Sequence, residues 1–281
     1  MRPFTLYHLC AESISVQQEK LVSIISAIVQ PEMIYLLGAS RYRRRSESIF
    51  CDDAPTSQHT SDYYLLILLS NFMGKEAYEW QDQIEHHCSS VMPVTTIALK
   101  TSHFNEWLTT GHAFAKHVYE KAVPIFTAGN IVLSAPPAGL NLAEAEIPDK
   151  FYTEGLNRAK EFFAGAELFR EREQYPLAAF MLHQSAEQAL RTILKLGTGY
   201  YSCTHNLDRL IRYASMVSYQ LPDIFPRKSD KDKHLFKLLQ NAYSDSRYTE
   251  DYKINMQQLL FLMDKVSGML KVLDDFKTEK K

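Results

Sequence analysis

The segment Tyr175 to Leu196, YPLAAFMLHQSAEQALRTILKL, constrains the fold of this chain more than any other. Leu177, Phe180, Met181, Ala186, Ala189, Leu190, Ile193 and Leu194 recur at helical spacing and make one broad apolar face. Beside that face His183, Glu187 and Arg191 stand at i, i+4 and i+8, so a helix stacks them in one polar row. Such a helix must bury its apolar face against neighbours. Its polar row then has two possible uses: a salt-bridge stripe that faces solvent or a second copy, or the lining of a polar cleft.

The flanking sequence predicts further helices. Gly197-Thr198-Gly199 is read as the stop of the long helix, because glycine favours the left-handed conformation that ends helices. Thr204 is read as the cap of a following helix that carries His205, Asn206 and Leu207 in its first turn. Helices are expected over Lys150–Arg172, Tyr201–Tyr219, Asp230–Arg247 and Asn255–Phe276, with a loop over Leu221–Pro226.

Three motifs stand in order here: His183 to Leu190 (HQSAEQAL), Thr204-His205-Asn206-Leu207, and Ala242 to Tyr248 (AYSDSRY). Together, over about Lys150 to Asp275, they resemble the HEPN family. The resemblance implies an up-and-down helical bundle that dimerises through its helices. Some members are metal-independent RNases, and others bind nucleotides or nucleic acids. Carried onto this chain, it makes His183, Glu187, Arg191, His205, Arg247 and Tyr248 a candidate cleft. RNase members place a His four to six residues after the Arg, whereas Thr249 to Lys253 contains none. Arg247 can hold a phosphate through its fork of donors but cannot shuttle a proton. Alternatively Arg247 pairs with Asp245 or Asp251 and Tyr248 stacks on Tyr252, closing a bundle end without a ligand.

The first half has a different pattern. A helix is expected over Ile14–Val29, ended by Pro31. The apolar runs Met33–Leu37, Tyr63–Leu69 and Val91–Leu99 predict buried strands, and Pro124–Phe126 a short final one. Gly38-Ala39-Ser40 is read as a tight turn and Arg41 to Thr60 as a polar loop. Lys75–Cys88, Phe104–Leu108 and Ala113–Ala122 are predicted helices. The fold class is therefore α+β, a small mixed sheet with helices over 1–135, then a Pro-rich linker over 136–149, then an all-α bundle over 150–281.

The Gly38-Ala39-Ser40 turn and Ser61-Asp62 entering a strand resemble the minimal nucleotidyltransferase domains over about Ile14 to Phe126. Those enzymes clamp two magnesium ions with paired strand carboxylates and hold a triphosphate on a Gly-Ser turn. The resemblance makes Gly38, Ser40 and Arg41 candidate phosphate contacts and Asp62 a candidate metal ligand. Tyr64 occupies the second carboxylate position and Thr95, Thr96 and Ile97 the third strand. A phenol does not replace a carboxylate on magnesium. Magnesium is thus expected only if an unusual ligand set keeps the site active, and the reading is of a non-catalytic nucleotide- or nucleic-acid-binding protein. The alternatives are a HEPN RNase or toxin-antitoxin-like module, and a live transferase.

Composition sets outer bounds. The chain has 281 residues, 46% hydrophobic, enough for two cores. A net charge of −2 argues against a nucleic-acid coat over the whole surface, and leaves a local cluster at Arg41, Arg43, Arg44 and Arg45. Cys10, Cys51, Cys88 and Cys203 form no paired spacing, which fits a reducing, cytoplasmic setting. The N-terminal residues do not read as a signal peptide, and the longest apolar run, Tyr63 to Leu69, is too short for a membrane span.

Overall fold

A computed structural model describes residues 16–41, 45–48, 60–129, 131–137, 149–227, 229–248 and 251–279. The chain divides into two units, Met1–Ala145 and Glu146–Lys281.

The first unit is a mixed sheet with helices. Its elements run α1 (Val16–Ile28), β1 (Pro31–Arg41), β2 (Arg45–Ser48), β3 (Thr60–Leu69), α2 (Ala77–Cys88), β4 (Val94–Lys100), α3 (Thr101–Thr109), α4 (Ala113–Lys121) and β5 (Val123–Thr127). Strand β3 pairs antiparallel along the whole of β1 and parallel with β4. The other edge of β1 is shared, β5 pairing with Met33–Leu36 and β2 with Gly38–Arg41. Tyr63 to Leu69 is buried throughout, as its unbroken apolar run requires of an inner strand. Strand β4 would present unpaired donors along its far edge. There Glu85 of α2 accepts from both the backbone N–H and the hydroxyl of Thr96, at 2.9 Å each.

Three expectations are corrected in this unit. Gly38-Ala39-Ser40 is not a turn but the second half of β1, because ladders on both sides hold it extended. The segment read as a loop after Arg41 contains strand β2. Polar strand residues paired to a neighbour leave no apolar alternation to detect. Strand β4 also starts later than its apolar run, at Val94 after Pro93, which has no N–H to donate.

The second unit is helical, with α5 (Asp149–Glu171), α6 (Tyr175–Thr198), α7 (Leu207–Ala214), α8 (Leu221–Ile224), α9 (Asp230–Asn241), α10 (Asp245–Tyr248) and α11 (Met256–Glu279). Helix α6 is its axis, packed by α5, α7, α9, α10 and α11. Leu182, Ala186, Ala189, Leu190 and Ile193 are fully buried. Helix α5 approaches closely at Gly155, where a Cβ would stand 2.3 Å from the Thr192 hydroxyl oxygen. Gly199, at φ 77°, ends α6 in the left-handed conformation, and Lys195 Nζ donates to its carbonyl at 2.7 Å.

Three helix expectations are corrected. The helix expected over Tyr201–Tyr219 is only α7, and residues 200–206 are irregular. Its cap is Asn206, whose side chain accepts from Arg209 N at 3.0 Å, while Thr204 accepts from Asn206 N at 3.2 Å. Helix α9 stops at Asn241, and the chain turns before the separate α10. The loop expected over Leu221–Pro226 holds the one-turn helix α8. No helix among the described residues is long and apolar enough to cross a membrane.

Candidate functional site

The polar row of α6 points into its own unit. His183 and Glu187 are 0% and 1% exposed, so this is neither a solvated stripe nor a surface seam. A buried carboxylate needs partners on both oxygens. Glu187 Oε1 lies 2.7 Å from Arg191 Nη1, one helical turn along, and Oε2 accepts from His205 Nδ1 at 2.9 Å. Arg191 Nη2 also donates to the carbonyls of Cys203 and Thr204, at 3.0 Å each. The row thereby pins the irregular 199–206 segment against α6.

His183 contributes from underneath. Its Nε2 donates to the His205 carbonyl at 3.1 Å, which fixes the Nε2–H tautomer of a neutral ring. Nδ1 then accepts from Gln184 Nε2 at 3.3 Å. Burial, reinforced by the charges of His205, Arg191 and Arg247, lowers the His183 pKa to about 3, although its bond to the His205 carbonyl works the other way. His183 is therefore uncharged at neutral pH, and its approach to Glu187 at 3.8 Å is not an ion pair. It serves the site as a support.

His205 is the residue that reaches the surface, with its side chain 46% exposed. With Nδ1–H committed to Glu187, Nε2 is the ring nitrogen left for a ligand. Tyr243 stacks on it, ring centroids 4.2 Å apart at 15°. The guanidinium of Arg247 lies between two rings, 4.6 Å from Phe180 and 4.8 Å from Tyr243. Its Nε donates to the Tyr243 carbonyl at 2.8 Å, and Nη2 donates to the same oxygen. Phe180, Arg247, Tyr243 and His205 thus form one run of ring and cation contacts, in which the exposed cation is Arg247.

Glu187, Arg191, His205 and Arg247 thus come together, with His183 behind them. Tyr248 ends α10, and its side chain lies outside the described residues. Tyr252 is tied elsewhere, its hydroxyl donating to the Leu238 carbonyl at 2.9 Å. Sequence reading missed Tyr243 and Phe180. Tyr243 stands four residues before Arg247, a spacing that could have flagged it.

In the first unit Ser40 Oγ is 2.5 Å from the Tyr64 hydroxyl, and Asp62 stands opposite Ser40 in the β1–β3 register. Position 95, beside Tyr64 on β4, is Thr. Among the described residues, hydroxyls that bond to each other beside Asp62 do not fit two magnesium ions, which require several anionic oxygens. Among the described residues no group of three or more acidic, His or Cys side chains could hold a metal. Gly38 is buried in β1. The side chain of Arg41, and the whole of Arg43 and Arg44, lie outside the described residues, as does most of the 136–149 linker.

No curated protein matches this chain. Residues 152–275, the helical unit with its Glu187-centred row and its Tyr243 stack, match the family described as "HEPN domain", and the chain carries a HEPN domain there.

Proposed function

We propose that the HEPN domain of this chain binds phosphate-bearing ligands, nucleotides or nucleic acid, and does no chemistry on them. The observation that carries this reading is that Tyr243 contacts both the exposed His205 ring and the exposed Arg247 guanidinium. A planar cation beside an exposed imidazole is what phosphate and base recognition both require. Arg247 contacts phosphate, and His205 accepts from a ligand hydroxyl or amino group. The first unit then acts as a nucleotidyltransferase-like scaffold without its metal pair, given the Ser40–Tyr64 contact where a second acid would be needed. The protein acts as a homodimer through surfaces other than His183 and Glu187, which its own helices already cover. Thermal shift against ATP, GTP, CTP, UTP and short RNA tests this, each with and without magnesium. A bound ligand raises the melting temperature by mass action. The expected shift needs no magnesium and is lost in Arg247→Ala. A shift that requires magnesium, or survives Arg247→Ala, refutes the reading.

One observation favours a second reading. Glu187 orients His205 as a carboxylate orients a general base, at 2.9 Å. In metal-independent RNA cleavage the 2′-oxygen would attack phosphorus, its proton passing to His205 Nε2. The 5′-oxygen would leave with a proton from water. Cleavage that persists in EDTA and disappears in His205→Ala would establish it, and intact RNA after prolonged incubation would dismiss it.

A further inference from the structure

The segment that carries His205 also carries a second exposed ring. Tyr201 is 48% exposed. It is not on a loose loop. The segment is fixed by Arg191 at the Cys203 and Thr204 carbonyls, by His183 at the His205 carbonyl, and by Glu187 at the His205 ring. The Arg191 guanidinium lies 5.7 Å from the Tyr201 ring centroid, the same cation-on-ring arrangement that Arg247 makes with Tyr243. Positive charge sits at this end too. Lys195 Nζ rests on the Gly199 carbonyl at 2.7 Å and, among the described residues, meets no carboxylate.

The two ring-and-cation groups are separated along α6. Phe180, under Arg247, and Arg191, under Tyr201, are eleven residues apart. At about 1.5 Å per residue the helix spans ~16 Å between them, more than one mononucleotide covers. Rings that present π-faces at intervals, with cations near each, suit a flexible chain of bases and phosphates.

We propose that Tyr201 is a second stacking subsite, and that the ligand is a single-stranded oligonucleotide lying along α6 from Arg247 to Tyr201. This rests on the phosphate-binding reading of the HEPN domain and extends it by naming a polymer and a residue. Tyr201 lies outside the three sequence motifs, and its role comes from exposure and from the pinned segment alone.

Fluorescence anisotropy with labelled uridine and deoxythymidine hexamers, competed by UMP, tests it on the full chain. Tyr201→Ala should weaken hexamer binding about tenfold, the usual effect of losing one stacked base. It should leave UMP competition unchanged, and Tyr201→Phe should bind as wild type. Arg247→Ala should weaken both ligands. If Tyr201→Ala leaves hexamer affinity intact while Arg247→Ala abolishes it, the second subsite is wrong and the phosphate reading stands. If neither UMP nor hexamer binds wild type, both fail. If Tyr201→Ala instead converts a dimer to a monomer in sedimentation velocity, with hexamer affinity unchanged, the ring serves self-association and the subsite is overturned.

Discussion

Removing the Glu187 carboxylate is the most demanding test of the site as described. Glu187 is 1% exposed and bonds Arg191 at 2.7 Å and His205 at 2.9 Å. Arg191 is itself buried and would keep its bonds to Cys203 and Thr204, but its charge would lose its only buried counterion in this row. Leaving one member of a buried pair uncompensated costs about 3–5 kcal/mol. Glu187→Ala should therefore lower the melting temperature of the helical unit by about 10–20 °C. Glu187→Gln, which keeps an acceptor but not the charge, should cost roughly 1.5–3 kcal/mol. The sharper control is the double change Glu187→Leu with Arg191→Met. It removes both charges and should recover most of the loss, because a buried ion pair and an apolar pair of similar volume are about equally stable. The assay is chemical denaturation followed by far-ultraviolet circular dichroism, with the single and double variants in one cycle. A Glu187→Ala cost below about 1 kcal/mol, or a double variant no better than the sum of its parts, would refute the claim that buried charge compensation organises this segment.

Other outcomes are expected. His183 has a folded pKa of about 3 against 6.5 for the free side chain, so between those values the unfolded chain binds the extra proton. Stability from this residue is full above the unfolded value and falls as pH drops, by at most about 1.4 kcal/mol per pH unit. Denaturation curves of His183→Gln should show a flatter slope from about pH 6.5 to 4.5. Burial opposes it, but Arg212 and Arg227 still hold the Asp208 carboxyl below its ordinary value, so its loss of stability belongs to a lower pH window. Gly155→Ala should cost about 1–3 kcal/mol, since the new methyl meets Thr192, and the added change Thr192→Ala should relieve part of it in the same melts. Tyr252→Phe removes the bond to the Leu238 carbonyl and should cost about 1 kcal/mol by denaturant titration.

Some of this was written in the sequence. The apolar face of α6 follows from residue spacing, because a helix puts i, i+3, i+4 and i+7 on one side whatever surrounds it. The inner strand β3 follows from an apolar run too short for a helix of its own. The proximity of His183, Glu187 and Arg191 follows from the same helical arithmetic. What spacing cannot give is which side of a polar row is covered. Only the 203–205 segment and Tyr243, brought against α6 by the bundle, turned that row inward, fixed His183 as neutral and left His205 half-exposed. Likewise Gly38-Ala39-Ser40 reads locally as a turn and becomes strand because β2 and β3 supply hydrogen-bond partners from distant sequence. Local propensity is a matter of fractions of a kcal/mol per residue, and burial and long-range pairing outweigh it. The helices and their faces therefore belong to the sequence, while the Glu187–His205 contact and the Tyr243 stack exist only in the assembled bundle.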